Sequence, residues 1–279
     1  MALAIVAFMA PPVDARTAAT FVPGASETPE SAATQPGPPS PDVVERQRYL
    51  ATAIESYMES NPGFDVSVAI GDDESAISWG DDTAIETASI VKVEVLTRWL
   101  VARQGQPLPV EELRLAEDMI RLSDNEATND LCGRIANETT AGLVPGGTDA
   151  CVDHGLWGGE ATTAVNQLDV IRTALTPGLL TTADVEVTHR LLSEVAPWQA
   201  WGVSAAVGEN ADVLLKNGWD LRDRGWLVNS IGVIETPDES PLRIAVLTRG
   251  HTDFEAGKAH VEAIAGLART AFAQTPPSA

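Results

Sequence analysis

The spacing of apolar positions predicts a helix at the start of the folded part of the chain. Apolar residues recur at every fourth position from Leu50 to Met58, and Pro41 suits the first position of a helix. Asp42 stands three residues before a glutamate, which is the spacing of a capping box. An Asn-Pro-Gly turn at 61–63 ends the predicted helix.

Short alternating segments at both ends of the chain predict strands. They cover 66–70, 76–79, 213–219, 226–234 and 242–248, and the stretch 253–272 has the apolar spacing of a helix. Gly-Asp-Asp at 71–73 is typical of a hairpin turn. Because strands from distant segments must pair, we expect one antiparallel sheet with the first and last helices packed on it, an α+β fold with a separate helical region.

The segment 89–104 is apolar on nearly every side, which predicts a buried helix. It opens with Ser89 and has Lys92 three residues later, so the amine can reach the hydroxyl on the same helix face. Burial would lower the pKa of Lys92, and a neutral amine can remove a proton from a serine. The alternative is an exposed lysine in the first turn.

Two further polar strings are candidates for chemistry. Ser-Asp-Asn at 123–125 lies between a helical stretch at 111–121 and a helix that begins near 127, and the alternative is an ordinary helix cap or turn. Lys-Asn-Gly-Trp at 216–219 ends a predicted strand, and the alternative is a polar strand end with a turn glycine.

Composition restricts the function. The formal net charge is −22, which opposes binding to nucleic acid, and the chain has only three lysines, of which two lie in these strings. Two lysines in one cleft predict a small anionic ligand. The sequence has no G-x-S-x-G, H-E-x-x-H or paired Cys-x-x-Cys string, and we expect no metal and no cofactor.

Ser-x-x-Lys, Ser-Asp-Asn and Lys-Asn-Gly occur once each and in this order, and the sequence thereby resembles the penicillin-recognising serine hydrolases. This family includes class A β-lactamases and penicillin-binding D-alanyl peptidases. The strings TASIVK, RLSDNEATN, LLKNGW and GWLVNSIG are similar to those of exported actinobacterial proteins described only as serine hydrolases or β-lactamase-like. The resemblance implies a β-lactamase/transpeptidase-like fold from position 42 onward.

The resemblance also implies a role for each motif residue. Ser89 would be the nucleophile that accepts the acyl group, and Lys92 its base or a partner of the base. Ser123 would relay a proton to the leaving nitrogen, and Asn125 would hold Lys92 and the substrate amide. Lys216 would attract the substrate carboxylate and tune Ser123.

The end of the third motif, residues 217–219, would contribute to substrate binding. The backbone amides of Ser89 and Trp219 would form the oxyanion hole, with Gly218 as the motif glycine between the strand and the substrate. Asn217 stands where the family usually has Thr or Ser, so a hydroxyl donor to the substrate carboxylate becomes an amide that can still donate.

The sequence departs from the family in two respects. Ser123 follows Ser89 by 34 residues, a short interval that predicts a reduced helical region. The E-x-x-L-N string that supplies the deacylating Glu of class A enzymes is missing, and we expect Glu160 to be a surface carboxylate. The missing Glu predicts an enzyme that acylates but deacylates slowly, and together with the N-terminal tether it leaves open a non-catalytic peptidoglycan-binding module.

Tryptophans offer a second kind of candidate. Trp99 has the position of a core residue in the buried helix. The others that could line a cleft are Trp157, Trp198, Trp201, Trp219 and Trp226.

The N-terminal region suggests export. Residues 1–15 resemble the apolar part of an export signal, although no Lys or Arg precedes Arg16, and 16–41 is a Pro-, Ser-, Thr- and Ala-rich stretch that we expect to be a disordered tether. Residues 42–279 then form one domain, expected to be monomeric, without a transmembrane anchor, and secreted or facing the cell wall. In an exported protein Cys132 and Cys151 would form a disulfide; the alternative is two reduced core cysteines.

Overall fold

The computed structural model describes residues 40–274 apart from 104, 136–139, 153–155, 209 and 238. The predicted export signal and all but the last two residues of the predicted tether lie outside the described residues. The described part contains seven α-helices: α1 (Pro41–Ser60), α2 (Lys92–Arg103), α3 (Val110–Arg121), α4 (Asn125–Ile135), α5 (Ala164–Leu175), α6 (Thr182–Ser193) and α7 (Phe254–Phe272).

Five strands form the predicted antiparallel sheet, in the order Ala76–Trp79 (β2), Asp65–Gly71 (β1), Leu242–His251 (β7), Gly225–Glu235 (β6) and Asp212–Arg222 (β5). Two short strands form a second sheet. The last strand of the chain pairs with the first, Val68 lying opposite Val246, so the two ends of the sequence meet in the centre of the sheet. The strands are β1 (Asp65–Gly71), β2 (Ala76–Trp79), β3 (Ile85–Glu86), β4 (Ala161–Thr162), β5 (Asp212–Arg222), β6 (Gly225–Glu235) and β7 (Leu242–His251).

Two apolar cores lie on the two faces of the large sheet. One joins the sheet to α1 and α7, and the other joins it to α2 and the remaining helices. Alternate residues of β5 therefore enter different cores, Leu214 on the side of α2 and Leu215 on the side of α7. The α+β architecture predicted from the sequence is confirmed, and β5 at the edge of the sheet is left free to border a cleft.

Several local predictions need correction. Ser40, not Asp42, caps α1, since its side chain accepts a hydrogen bond from the amide of Val43. The helix predicted over 89–104 opens with a 3-10 turn, Ala88–Val91, and the regular α-helix covers only Lys92–Arg103. Residues 161–162, for which the local pattern predicts no strand, form β4 because their backbone pairs with β3.

The predicted disulfide joins Cys132 in α4 to Cys151, with their Cα atoms 5.1 Å apart. The bond ties α4 to the segment that precedes Trp157. In the chain-entropy description, a crosslink of this span stabilises the fold by about 3 kcal/mol because it restricts the unfolded chain. Among the described residues no helix has the length and apolar character needed to cross a membrane.

His251 at the end of β7 is a buried histidine outside the motifs. Its ring stacks on that of His260, with centroids 5.3 Å apart, and its Nε2 lies 2.7 Å from Thr248 Oγ1. Burial lowers the pKa of His251 to about 4; nearby His260 adds to the lowering and Asp253 opposes it. The folded protein thus holds this ring neutral at a pH where an exposed histidine would be charged.

We expect the free energy of unfolding to decrease as the pH falls from about 6.5 to about 4, because there the unfolded chain binds a proton at His251 that the folded chain does not. The difference in pKa corresponds to at most about 3 kcal/mol. Urea unfolding at pH 7 and pH 4.5 measures this decrease in the free energy of unfolding. The variant His251→Gln, which cannot titrate, should lose less stability over this range; an equal loss in both proteins would contradict the assignment.

Candidate active site

The nucleophile candidate Ser89 lies in the 3-10 turn at the start of α2, and its side chain is partly exposed. Ala88 before it has a φ of +44°, a left-handed conformation that is strained for a residue with a side chain. The turn is held by hydrogen bonds from the amide of Thr87 to Glu160 O, 2.9 Å, and from that of Ala88 to Gly158 O, 3.0 Å. The segment 158–160 thereby fixes the position of Ser89.

Lys92 lies at the centre of the site and is fully buried. Its Nζ is 2.7 Å from Ser123 O, 2.8 Å from Asn125 Oδ1 and 3.3 Å from Ser123 Oγ. Burial lowers the pKa of Lys92 to about 7, against the opposing charge of Asp124. As the sequence predicts, this lysine is a buried amine that can be neutral near pH 7.

The Ser-Asp-Asn string caps a helix and also contacts Lys92. Asp124 caps α4, since its Oδ1 accepts a hydrogen bond of 2.7 Å from the amide of Ala127. Ser123, with a φ of +58°, and Asn125 on either side turn their side chains to Lys92. The cap therefore positions the two polar groups that contact the amine.

Lys216 reaches the same serine from the opposite wall. Its Nζ lies 3.1 Å from Ser123 Oγ and 2.7 Å from Asn217 O, and its side chain is fully buried. Burial, and secondarily the proximity of Lys92, lowers the pKa of Lys216 well below its usual value. The structure thus brings together residues from all three motifs, which are far apart in the sequence.

Gly218 brings β5 into contact with the nucleophile turn. A Cβ atom at this position would lie 2.7 Å from the amide nitrogens of both Ser89 and Ile90, which is too close for any residue other than glycine without a shift of backbone. Gly218, which directly precedes Trp219, therefore lies against the backbone amides of Ser89 and Ile90. This arrangement is compatible with the predicted pair of oxyanion donors.

Asn217 does not face the cleft. Its Nδ2 donates to Gln199 O at 2.8 Å and to Trp201 O at 3.2 Å, and its Oδ1 accepts from the hydroxyl of Ser230 at 2.6 Å. The side chain is 1% exposed, on the α7 side of the sheet. The amide expected to donate to a substrate carboxylate is thus committed to the interior, because side chains alternate along a strand.

Trp157 covers Lys92. The Nζ of Lys92 lies 4.9 Å from the centre of the indole ring, and the ring nitrogen donates to Asn129 Oδ1 at 3.0 Å. The sequence marked Trp157 as one of several cleft tryptophans but gave no sign of this contact. An indole thus borders the amine of Lys92. Among the described residues no carboxylate contacts the amine from that side.

Two other residues need reassessment. Glu160, expected at the surface, is partly buried, and its Oε2 is enclosed without a hydrogen-bond partner in the described part of the chain.

Asn229 is a positioning residue that the sequence analysis did not single out. Its Nδ2 donates to Glu86 O and Thr87 O at 2.8 and 3.1 Å, which holds the backbone before Ser89. The available signal was a lone asparagine in the apolar string WLVNSIGVI.

Comparison with solved structures identifies the fold. A class A β-lactamase of Bacteroides cellulosilyticus superposes with a TM-score of 0.66 at 14% identity, over 81% of this chain and 98% of that one. The chain has the class A β-lactamase fold. A class A β-lactamase from Mycobacterium abscessus gives a TM-score of 0.64 at 17% identity, covering 82% of this chain and 100% of that one.

A β-lactamase from Streptosporangium roseum gives a similar result, with a TM-score of 0.62 at 16% identity, covering 82% of this chain and 98% of that one. No protein-family model matches the chain, and no curated protein sequence matches it. At these identities the class A β-lactamase fold is shown, and the activity has to be argued from the site.

Proposed function

We propose that this protein is an exported serine hydrolase that forms an acyl-enzyme on Ser89 with a β-lactam or a D-alanyl peptide, and that it deacylates slowly. The observation that carries the proposal is the buried Lys92, whose Nζ contacts Ser123 and Asn125 while Lys216 contacts the same Ser123 hydroxyl. A buried amine with a pKa of about 7 is suited to general-base work at neutral pH.

In the proposed acylation, Ser89 Oγ attacks the carbonyl carbon of the substrate. The proton of Ser89 passes to Lys92. To receive it, the amine turns to Ser89 from its longest contact, which is the one to Ser123 Oγ at 3.3 Å. Ser123 then delivers its hydroxyl proton to the leaving nitrogen as the C–N bond breaks, and it takes the proton held by Lys92, which returns to the neutral amine. The amides of Ser89 and Trp219 hold the oxyanion, a contribution of about 3 kcal/mol per donor in other enzymes.

Slow deacylation is inferred from what surrounds Lys92. Water must be activated to release the acyl group, and the resemblance assigns this task to a Glu that the sequence lacks. The indole of Trp157 contacts Lys92 instead. Export is supported by the signal-like N-terminus and by the disulfide, which is typical of oxidising compartments.

The intact mass of the full chain after incubation with benzylpenicillin tests the proposal. We expect an adduct of one penicillin that persists, and no adduct in Ser89→Ala. Ser193→Ala, which removes an exposed serine at the end of α6, serves as the matched control and should be labelled like the wild type. Labelling of Ser89→Ala at the wild-type rate would refute the assignment.

A binding protein without turnover is the second candidate. The missing deacylating Glu and the indole beside Lys92 favour it. In that case muropeptides would bind saturably, while neither benzylpenicillin nor an activated ester would modify Ser89. Modification of Ser89 by either acyl donor would exclude it.

A further inference from the structure

Trp157 presents the face of its indole ring to Lys92. The Nζ of Lys92 lies over the ring, 4.9 Å from its centre, which is within the distance at which an aromatic face attracts a cation. The ring is held in this orientation because its nitrogen donates to Asn129 Oδ1 at 3.0 Å. Among aromatic side chains, tryptophan attracts a cation most strongly. The contact therefore favours the ammonium form of Lys92 over the neutral amine.

The hydrogen-bond partners of the Lys92 amine carry no charge. Three oxygens accept from Nζ: Ser123 O at 2.7 Å, Asn125 Oδ1 at 2.8 Å and Ser123 Oγ at 3.3 Å. None of these atoms belongs to a carboxylate. Because a buried ammonium is poorly solvated, an electron-rich ring at this distance has more influence here than on an exposed lysine.

Two charged side chains act on the amine from neighbouring elements. Burial lowers the pKa of Lys92, and the charge of Asp124 opposes this, although the Asp124 carboxylate is used to cap α4. Lys216 in β5 approaches through the shared Ser123 hydroxyl, so its charge disfavours an ammonium at Lys92. Charged side chains close by that do not bond to the amine in the described part of the chain are Glu94, Arg98 and Glu160.

A positive charge develops on Lys92 in the proposed acylation. As Ser89 Oγ forms its bond to the carbonyl carbon, the serine proton moves to the amine of Lys92, which becomes an ammonium. Lys92 then returns this proton to Ser123, whose own proton goes to the leaving nitrogen as the C–N bond breaks. A group that stabilises the transient ammonium lowers the barrier for removal of the serine proton.

We propose that Trp157 is a catalytic residue in the acylation of Ser89, in which its indole face stabilises the ammonium form of Lys92 as a carboxylate would. The proposal rests on the proposed function for its catalytic part, but the contact itself is measurable without an acyl donor. The competing explanation is that Trp157 only shields Lys92 from water. The two differ in sign, because loss of an attracting face lowers the pKa of Lys92 and loss of a shield raises it.

The pKa of Lys92 is accessible by NMR because the chain has only three lysines. With isotope-labelled lysine ε-carbons, Lys92→Met identifies the signal of Lys92. In Trp157→Leu, which keeps an apolar side chain but removes the aromatic face, we expect the titration midpoint of Lys92 to fall by about 0.5–1.5 pH units. Trp157→Phe, which keeps a weaker aromatic face, should give a smaller decrease.

A replacement of the same shape separates the electrons of the ring from its bulk. Tetrafluorotryptophan introduced at position 157 keeps the ring and its N–H, while fluorine withdraws electron density from the face. The midpoint of Lys92 should fall in this protein too, although the amine remains covered. Trp79→Leu is the matched control, since Trp79 lies in β2 at the sheet edge opposite β5, and it should leave the midpoint unchanged.

The acylation rate of Trp157→Leu should change in opposite directions at the two ends of the pH range. A weaker base accepts the Ser89 proton less readily, so acylation at pH 8.5 should be about threefold slower than in the wild type. At pH 5.5 a larger fraction of Lys92 is neutral, so the same variant should acylate about twofold faster. A variant that is only less well folded would be slower at both pH values.

A Lys92 midpoint that stays the same or rises in the fluorinated protein would overturn the proposal, and the fluorinated protein decides because its ring still covers the amine. Ser89 would remain the nucleophile in that case if the wild type is acylated. If no acyl donor modified Ser89 in the wild type, the proposed function would fail, and the catalytic role of Trp157 with it, whatever the midpoint.

Discussion

Replacement of Lys92 by arginine is expected to slow the acylation of Ser89 by roughly a hundredfold to ten-thousandfold, the usual contribution of a general base. Arginine keeps the positive charge but does not lose its proton in a protein. The labelling rate with an activated ester or benzylpenicillin measures the effect. Because Lys92 is fully buried, Lys92→Met is a second variant of similar volume, and thermal unfolding of both shows whether they fold.

The same assignment predicts how the wild type depends on pH. With a pKa of about 7, Lys92 is mostly protonated below pH 6 and mostly neutral above pH 8. The acylation rate should therefore rise about tenfold per pH unit below 7 and level off above it. A rate independent of pH between 5.5 and 8.5, or a folded Lys92→Arg or Lys92→Met variant that acylates at the wild-type rate, would show that another group is the base.

Asp124 supplies a control for this pH dependence. Its carboxylate raises the pKa of Lys92, opposing the effect of burial, while its Oδ1 caps α4. Asparagine is also a good N-cap, so Asp124→Asn removes the charge and keeps the cap. The midpoint of the rate profile should move to lower pH in this variant, with little change in the rate at pH 8.5.

The second large effect concerns stability. Replacement of Arg98 by methionine is expected to lower the free energy of unfolding by about 3–5 kcal/mol, because it leaves Glu94 as a buried charge without its partner. The pair lies in α2, each residue 1% exposed, with Nη1 and Oε1 3.9 Å apart. Urea unfolding of the oxidised protein measures the loss.

The loss of stability is expected to be large because Glu94 and Arg98 hold a separate segment of the chain, residues 140–150. Glu94 accepts hydrogen bonds from the amide and hydroxyl of Thr148, at 2.7 and 3.0 Å, and Arg98 donates to the carbonyl of Ala150 and to Thr140 Oγ1. This segment leads to Trp157, which covers Lys92. Loss of the pair should therefore also slow acylation in the molecules that remain folded.

A double variant separates the ion pair from simple packing. Glu94→Gln together with Arg98→Met removes both charges, and it should be more stable than Arg98→Met alone because no buried carboxylate is left unpaired. A loss below about 1 kcal/mol in Arg98→Met would mean that the segment is held by the disulfide and its backbone contacts instead.

Most of the fold could be predicted from local patterns. The five strands of the large sheet and the first and last helices were each predicted within a few residues, because alternation and fourfold spacing are properties of contiguous sequence. The strands β3 and β4 have two residues each, too few to show a period, and they were missed. They matter for the site, since they align 158–160 with the backbone before Ser89.

The sequence by itself determined which residues are the candidates for the chemistry. The serine and lysine of the first motif share one turn, and the burial of Lys92 followed from the apolar residues around the same helix. The tertiary structure alone decided what surrounds them: the indole of Trp157 over Lys92, the inward turn of Asn217, and the carbonyls of Gln199 and Trp201 that accept from its amide. These contacts join residues far apart in the chain, and their side chains are oriented by packing between layers, which leaves no periodic signal in the sequence.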